Sequence, residues 1–118
     1  MTTKDVLGRH GEQLAVDYLE QRGYVVLSRN WRCRDGEIDI VATDRDRLVV
    51  CEVKTRSGSR FGAPAEAVTQ RKAWRIRRVT QVWMAEHRVR WCDIRFDVLA
   101  VLMPPEGQPV VQHYESAF

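Results

Sequence analysis

Residues 37–43 (EIDIVAT) and 48–54 (LVVCEVK) are two apolar, β-branched runs separated only by Asp44, Arg45, Asp46 and Arg47. So short a link between two strands makes an antiparallel hairpin. A symmetric turn sets Thr43 opposite Leu48, Val41 opposite Val50, Asp39 opposite Glu52 and Glu37 opposite Lys54. Side chains alternate along a strand, so Glu37, Asp39 and Val41 share a face with Val50, Glu52 and Lys54. A chain built around this pair contains a sheet, and one face of that sheet carries carboxylates.

The remaining pattern supplies the elements that cover the sheet. Leu7, Gly11, Leu14, Ala15, Tyr18 and Leu19 recur at helical spacing over residues 4–22, with Thr2 or Thr3 to cap the start and Gly23 to end it. Residues 24–28 read as a strand and 32–36 as a polar turn. Ser57, Gly58, Ser59, Gly62 and Pro64 mark 55–64 as a loop. Residues 65–87 follow as a helix with Val68, Ile76, Val79 and Trp83 along its buried stripe. Residues 93–101 are a strand, 103–109 a proline-rich turn and 110–114 an edge strand. The predicted order is α-β-β-β-α-β-β, a single α/β domain over residues 1–118 with a mixed sheet and helices packed on it.

At 118 residues, 44% hydrophobic and 30% charged, the chain has the size and balance of one globular domain. No apolar run is long enough to cross a bilayer, and the N-terminal residues lack a signal-peptide core, so the expectation is a cytoplasmic protein with no membrane partner. Cys33, Cys51 and Cys92 have no paired short spacing, which argues against a disulfide framework. They form no CxxC, and His10, His87 and His113 are scattered, which makes zinc a poor fit. Cys51 reads as a small core residue of a strand. A net charge of +3 is too small to identify a nucleic-acid partner by itself.

Strands usually exclude acidic residues, yet Glu37, Asp39 and Glu52 interrupt apolar runs. Directly opposed residues have Cβ atoms about 4.5–5.5 Å apart, so Asp39 and Glu52 repel each other. A divalent cation between them removes that repulsion, and few oxygen ligands with water completing the set suit Mg²⁺ or Mn²⁺. Lys54, two residues beyond Glu52 on the same face, adds a cation able to hold an attacking water or stabilise a phosphorane-like transition state. The bland alternative is a solvated face with a Glu37–Lys54 ion pair, which leaves the opposed Asp39 and Glu52 unexplained.

GEIDIVA followed by LVVCEVKTR resembles the Asp…Glu-X-Lys signature of the restriction-endonuclease-like superfamily, PD-(D/E)XK. The whole chain resembles the YraN-like family of small bacterial proteins through GRHGEQLAVDYLEQRGY, NWRCRDGEIDIVA, VVCEVKTR, RFDVLAV and the terminal residues through AF. The resemblance implies the superfamily's α/β core and metal-dependent nuclease chemistry, with Asp39, Glu52 and Lys54 at the signature positions and Ile38 in place of the motif's proline. Related junction-resolving nucleases use a glutamate of the first helix at the metal. Glu12 therefore reads either as a ligand, with Gly8 and Gly11 permitting close approach, or as an exposed helical glutamate near Arg9.

Glu37 is either a further ligand or, the reading favoured by the register, the partner that orients Lys54. Asp97 reads as bonding a turn or an arginine in a structural role, with catalysis as the alternative. Arg71, Arg75 and Arg78 share a helix face, either as a phosphate-binding stripe or as a solvated surface. Lys72 lies nearer the apolar stripe, in reach of the site, with Gln70 a weaker candidate. Trp74 stacks on a base or packs in the core, and Trp31, Trp83 and Trp91 read as core or interface. Arg56, Ser57 and Arg60 follow Lys54 as contacts for a nucleic-acid backbone or as an ordinary polar loop.

Together these readings predict a Mg²⁺- or Mn²⁺-dependent endonuclease acting on DNA, branched or damaged DNA by analogy. Cutting two strands symmetrically makes a homodimer the expected assembly. The alternatives are a nucleic-acid-binding module that keeps the fold with little or no catalysis, and an interaction protein whose basic helix binds an acidic partner.

Overall fold

The computed structural model describes residues 3–57 and 68–118. Their order is α1 (Thr3–Gln21), β1 (Val25–Cys33), β2 (Gly36–Asp44), β3 (Arg47–Ser57), α2 (Gln70–Glu86), β4 (Ile94–Met103) and β5 (Val110–Tyr114). The five strands form one sheet in sequence order, antiparallel except for the parallel pair β3 and β4. This is the α/β architecture with a mixed sheet that the periodicities predict.

Alternation along the central strands builds two apolar layers. Ala15, Val16 and Leu19 of α1 pack on Ile40, Ala42, Val49, Cys51, Leu99 and Val101. Ile76, Val79, Trp83 and Met84 of α2 pack on Val41, Leu48, Val50 and Phe96. Ile40 and Val41 are neighbours that point to opposite faces, so the helices cover opposite sides of the sheet.

Gly23, at φ +87°, ends α1, and the Tyr24 amide donates back to the Leu19 carbonyl at 3.0 Å. A Cβ on Gly11 would fall inside the Thr55 side chain, so this glycine sets how closely α1 approaches β3. Gly8 differs from the expectation for it: a Cβ there would meet nothing within 4 Å.

Several boundaries differ from the sequence reading. The first strand runs to Cys33, because β2 pairs with it as far as Cys33↔Gly36. The hairpin link is tighter than four residues: Asp44 pairs with Arg47, leaving Arg45, at φ +60°, and Asp46 as the turn. β3 extends to Ser57, through part of the expected loop, because β4 pairs with it as far as Ser57↔Met103. The second helix starts at Gln70, where the Thr69 side chain accepts from the Lys72 amide at 3.1 Å. Val68 therefore precedes the helix, and Thr80 and Met84 join Ile76, Val79 and Trp83 on its buried face. Thr2, Arg60 and residues 65–67 lie outside the described residues.

Candidate metal centre and phosphate cleft

The β2–β3 ladder runs from Asp44↔Arg47 to Ile40↔Cys51 and ends there. β3 continues beside β4, while the far end of the β1–β2 hairpin turns towards α2. Ile38 packs in the same cluster as Val41, so the alternation of β2 breaks between them. The two strands thus form a fork, with Asp39 on one arm and Glu52 on the other. In the fork the Val53 amide takes a side chain as its acceptor: it donates to Asp39 Oδ2 at 2.8 Å.

Glu52 and Lys54 lie on the α2 face of β3. Lys54 Nζ stands 3.8 Å from Glu52 Oε1, and Lys72 Nζ reaches the same oxygen from α2 at 2.9 Å. Burial, then the Glu52 charge, push the Asp39 carboxyl up to about 7, against the bond from Val53. Burial and the neighbouring Lys72 lower Lys54, although Glu52 opposes them. Burial also works against the charge of Lys72, but its contact with Glu52 outweighs it and raises that ammonium.

A cleft of ≈ 540 Å³ opens beside the fork, lined by Asp39, Glu37 and Glu52, by Arg32, Cys33 and Gly36 of the hairpin, and by Lys72, Arg75 and Ile76 of α2. Its floor is acidic, and both walls carry cations. Lys72 and Arg75 therefore stand at the site, as the helical spacing allowed for Lys72. Arg32, Cys33 and Gly36 were not expected at the site, because only the curl of the hairpin towards α2 brings them in, and Ile76, expected as core, also lines the cleft.

Glu37 does not face Lys54. With the ladder ended at Ile40↔Cys51, Glu37 pairs with Arg32 across β1, Oε2 to Nε 3.3 Å. Glu12 is held by Asn30 Nδ2 at 2.6 Å and lies 3.5 Å from Arg29 Nε. Asn30 is a further residue the sequence reading passed over. Among the described residues no group of three or more His, Cys, Asp or Glu side chains is arranged to hold a metal. The two arms of the fork nevertheless offer carboxylates of the hard-oxygen type that Mg²⁺ and Mn²⁺ take, and their mutual repulsion is of the kind a cation relieves.

Arg71 is exposed on α2, and Arg78 lies 3.3 Å from Asp35 and 5.5 Å above the exposed Trp74 ring. Arg56 and Ser57 are exposed at the end of β3. Trp83 is core and donates to Ser28 Oγ at 2.9 Å, whereas Trp91 is 83% exposed. Asp97 is fully buried, bonded by Arg95, by His113 Nε2 at 2.6 Å and by the Ser116 amide at 3.1 Å, an arginine and a turn as its setting suggested. Burial works against its charge, but these donors outweigh it and hold the carboxyl below its usual range.

No helix among the described residues is long and apolar enough to cross a membrane. Compared with known proteins, residues 11–101 match the family described as "Uncharacterised protein family UPF0102". The chain is 53% identical to a UPF0102 protein of Frankia alni, covering 100% of this chain and 98% of that one. It is 52% identical to one of Frankia casuarinae, covering 100% of both chains. A UPF0102 protein of Nocardia farcinica is 50% identical over 98% of this chain and 91% of its own length. The chain carrying this forked, acid-floored sheet is a member of the UPF0102 family, the YraN-like group its motifs resemble.

Proposed function

We propose that the protein is a Mg²⁺- or Mn²⁺-dependent endonuclease that hydrolyses phosphodiester bonds in DNA, with branched or damaged DNA as its substrate. The observation that carries this reading is the convergence of Asp39, Glu52 and Lys72 in one cleft with arginines on both walls, and the approach of Lys54 to Glu52 beside it. Asp39 and Glu52 would hold the cation, with Glu12 as an additional carboxylate from α1. When bound, the metal supplies a Lewis acid and lowers the pKa of a coordinated water. Lys54 contributes positive charge next to the reacting phosphate, and its lowered pKa lets it release and recover a proton more readily than an ordinary lysine. Arg32 and Arg75 suit the flanking phosphates, and Arg71, Arg78, Arg56 and Ser57 extend the contact along the backbone. A homodimer would bring two such sites to a two-stranded substrate.

One observation favours the second reading, a nucleic-acid-binding module with little or no catalysis. Lys72 already neutralises Glu52 at 2.9 Å, which gives the site a resting state without a metal. Incubation of the protein with single-stranded, duplex, flapped and four-way DNA, in Mg²⁺ and in Mn²⁺, separates the two. The enzyme reading requires metal-dependent cleavage that Asp39→Asn and Glu52→Gln both abolish. Binding without cleavage of any substrate would establish the module instead.

A further inference from the structure

Asn30 sits at φ +49° in the middle of β1, in the left-handed region that non-glycine residues seldom enter. The pairs on either side of it are Arg29↔Ile40 and Trp31↔Ile38, so the ladder skips Asn30 at the point where Asp39 stands on β2. The same position is where the alternation of β1 breaks. Arg29 points to α1, where Nη1 donates to Gln13 Oε1 at 3.0 Å, and Asn30 Nδ2 also points there, to Glu12 Oε1 at 2.6 Å. Trp31 returns to the α2 side. Two successive side chains thus face one helix, which a regular strand does not allow. Asparagine is the side-chain-bearing residue best suited to this conformation, and its amide supplies the donor that a glycine lacks.

The geometry points to Asn30 as a positioning residue: its left-handed backbone and its amide together fix the Glu12 carboxylate of α1 beside the Asp39 arm of the fork. This rests on the reading of Asp39 and Glu52 as a metal pair and adds the residue through which the third carboxylate is aimed. Glu12 is the group that gains. Its side chain is only 12% exposed, and Asn30 at 2.6 Å holds the same oxygen more closely than Arg29 does at 3.5 Å. The charge of Glu12 is felt at Asp39, as expected for carboxylates held on neighbouring elements.

Mn²⁺ titration calorimetry on the full chain tests this with Asn30→Gly, Asn30→Asp, Glu12→Gln and the Glu12→Gln/Asn30→Gly double variant. Asn30→Gly keeps the backbone conformation and removes the amide. Asn30→Asp keeps the shape and sets a carboxylate against Glu12. Each should bind Mn²⁺ about 10-fold or more weakly than the wild type, the range for loss of a group that orients a ligand. In the Glu12→Gln background, Asn30→Gly should cause no further loss, because the residue through which it acts is already disabled. A merely structural role gives the same loss in both backgrounds and overturns the proposal, as do wild-type affinities in Asn30→Gly and Asn30→Asp. A wild type that takes up no Mn²⁺ brings down the metal reading, and the role of Asn30 with it. Normal uptake with unaltered Asn30 variants removes this inference alone.

Discussion

Lys72 Nζ approaches Glu52 Oε1 to 2.9 Å from the helix, closer than Lys54, which shares the strand with Glu52 and stands at 3.8 Å. The helical lysine owns the ion pair, and the strand lysine is left with a cationic neighbour and a weaker claim on the carboxylate. Burial works against the charge of both ammonium groups, and this unequal claim on Glu52 is why Lys54 ends lowered while Lys72 ends raised.

Lys72→Met tests that division. Without Lys72, the repulsion on Lys54 disappears and Glu52 is free to pair with it, so the Lys54 pKa should rise. NMR titration of the lysine side chains measures this. Mn²⁺ affinity should also rise, because an internal cation no longer competes for Glu52. An unmoved Lys54 would show that burial alone sets its acidity.

The Asp39 carboxyl predicts a pH dependence in metal-free protein. Its folded pKa is raised to about 7, so between the usual carboxylate range and about pH 7 the folded state holds a proton that the unfolded chain has released. Stability should therefore fall as pH rises through that window, by up to about 1.4 kcal/mol per pH unit. Asp39→Asn keeps an oxygen for the Val53 amide and should flatten the decline. Urea unfolding in chelator at about pH 5 and about pH 8 provides the comparison. A wild type equally stable at both would contradict the shift.

Asp97→Asn should be the most destabilising of these changes. It removes the nearest carboxylate from the buried Arg95 guanidinium and leaves only Glu115 at 3.4 Å and Asp44 at 3.8 Å, a loss of about 3 kcal/mol, the lower end for breaking a buried ion pair. Because the Asp97 pKa is lowered on folding, the stability it contributes is present above the ordinary carboxylate range and is lost as pH falls through its depressed value. Wild type and variant should converge in strong acid, as followed by denaturant melts.

Gly8 and Gly11 should respond oppositely to alanine. Gly8→Ala meets open space on α1 and should stabilise by about 0.5–1 kcal/mol. Gly11→Ala collides with Thr55 and should cost about 1–3 kcal/mol, with part recovered by also making Thr55→Ala. Thermal melts of the variants decide this.

On α2, Arg71→Ala and Arg75→Ala should each lower the salt slope of DNA affinity by roughly one unit per lost phosphate contact. Arg78→Ala should do less, since Asp35 already shares that charge. Salt titrations showing no change in slope for any of the three would reduce the stripe to a solvated surface.

Most of the fold is legible in the periodicities. Alternation in β2 and β3 exposes their pairing, and helical spacing exposes both amphipathic faces. Glu52 and Lys54 are legible as neighbours on one face because they are two residues apart on one strand. The fork is not legible, because register reasoning carries a hairpin ladder onward indefinitely. Here β3 remains with its parallel neighbour β4 while β2 departs, so Glu37 never reaches Lys54. Asn30 falls between the run read as a strand, 24–28, and the turn at 32–36, and its left-handed backbone answers to tertiary packing. Arg95 and Asp97 could have been paired from their spacing on one strand, whereas His113 and Ser116 join them only through the β4–β5 pairing and the residues just after it.

The hydrogen bond from Val53 to Asp39 gives the backbone its own gauge. In an ordinary ladder that amide would answer only to the neighbouring strand. Here its protection from solvent exchange depends on where one carboxylate points. A ligand that draws Asp39 Oδ2 away must speed proton exchange at Val53, and one that leaves the carboxylate in place must not. A single resonance in the middle of β3 thus distinguishes occupancy of the fork from binding elsewhere on the surface, with no turnover required.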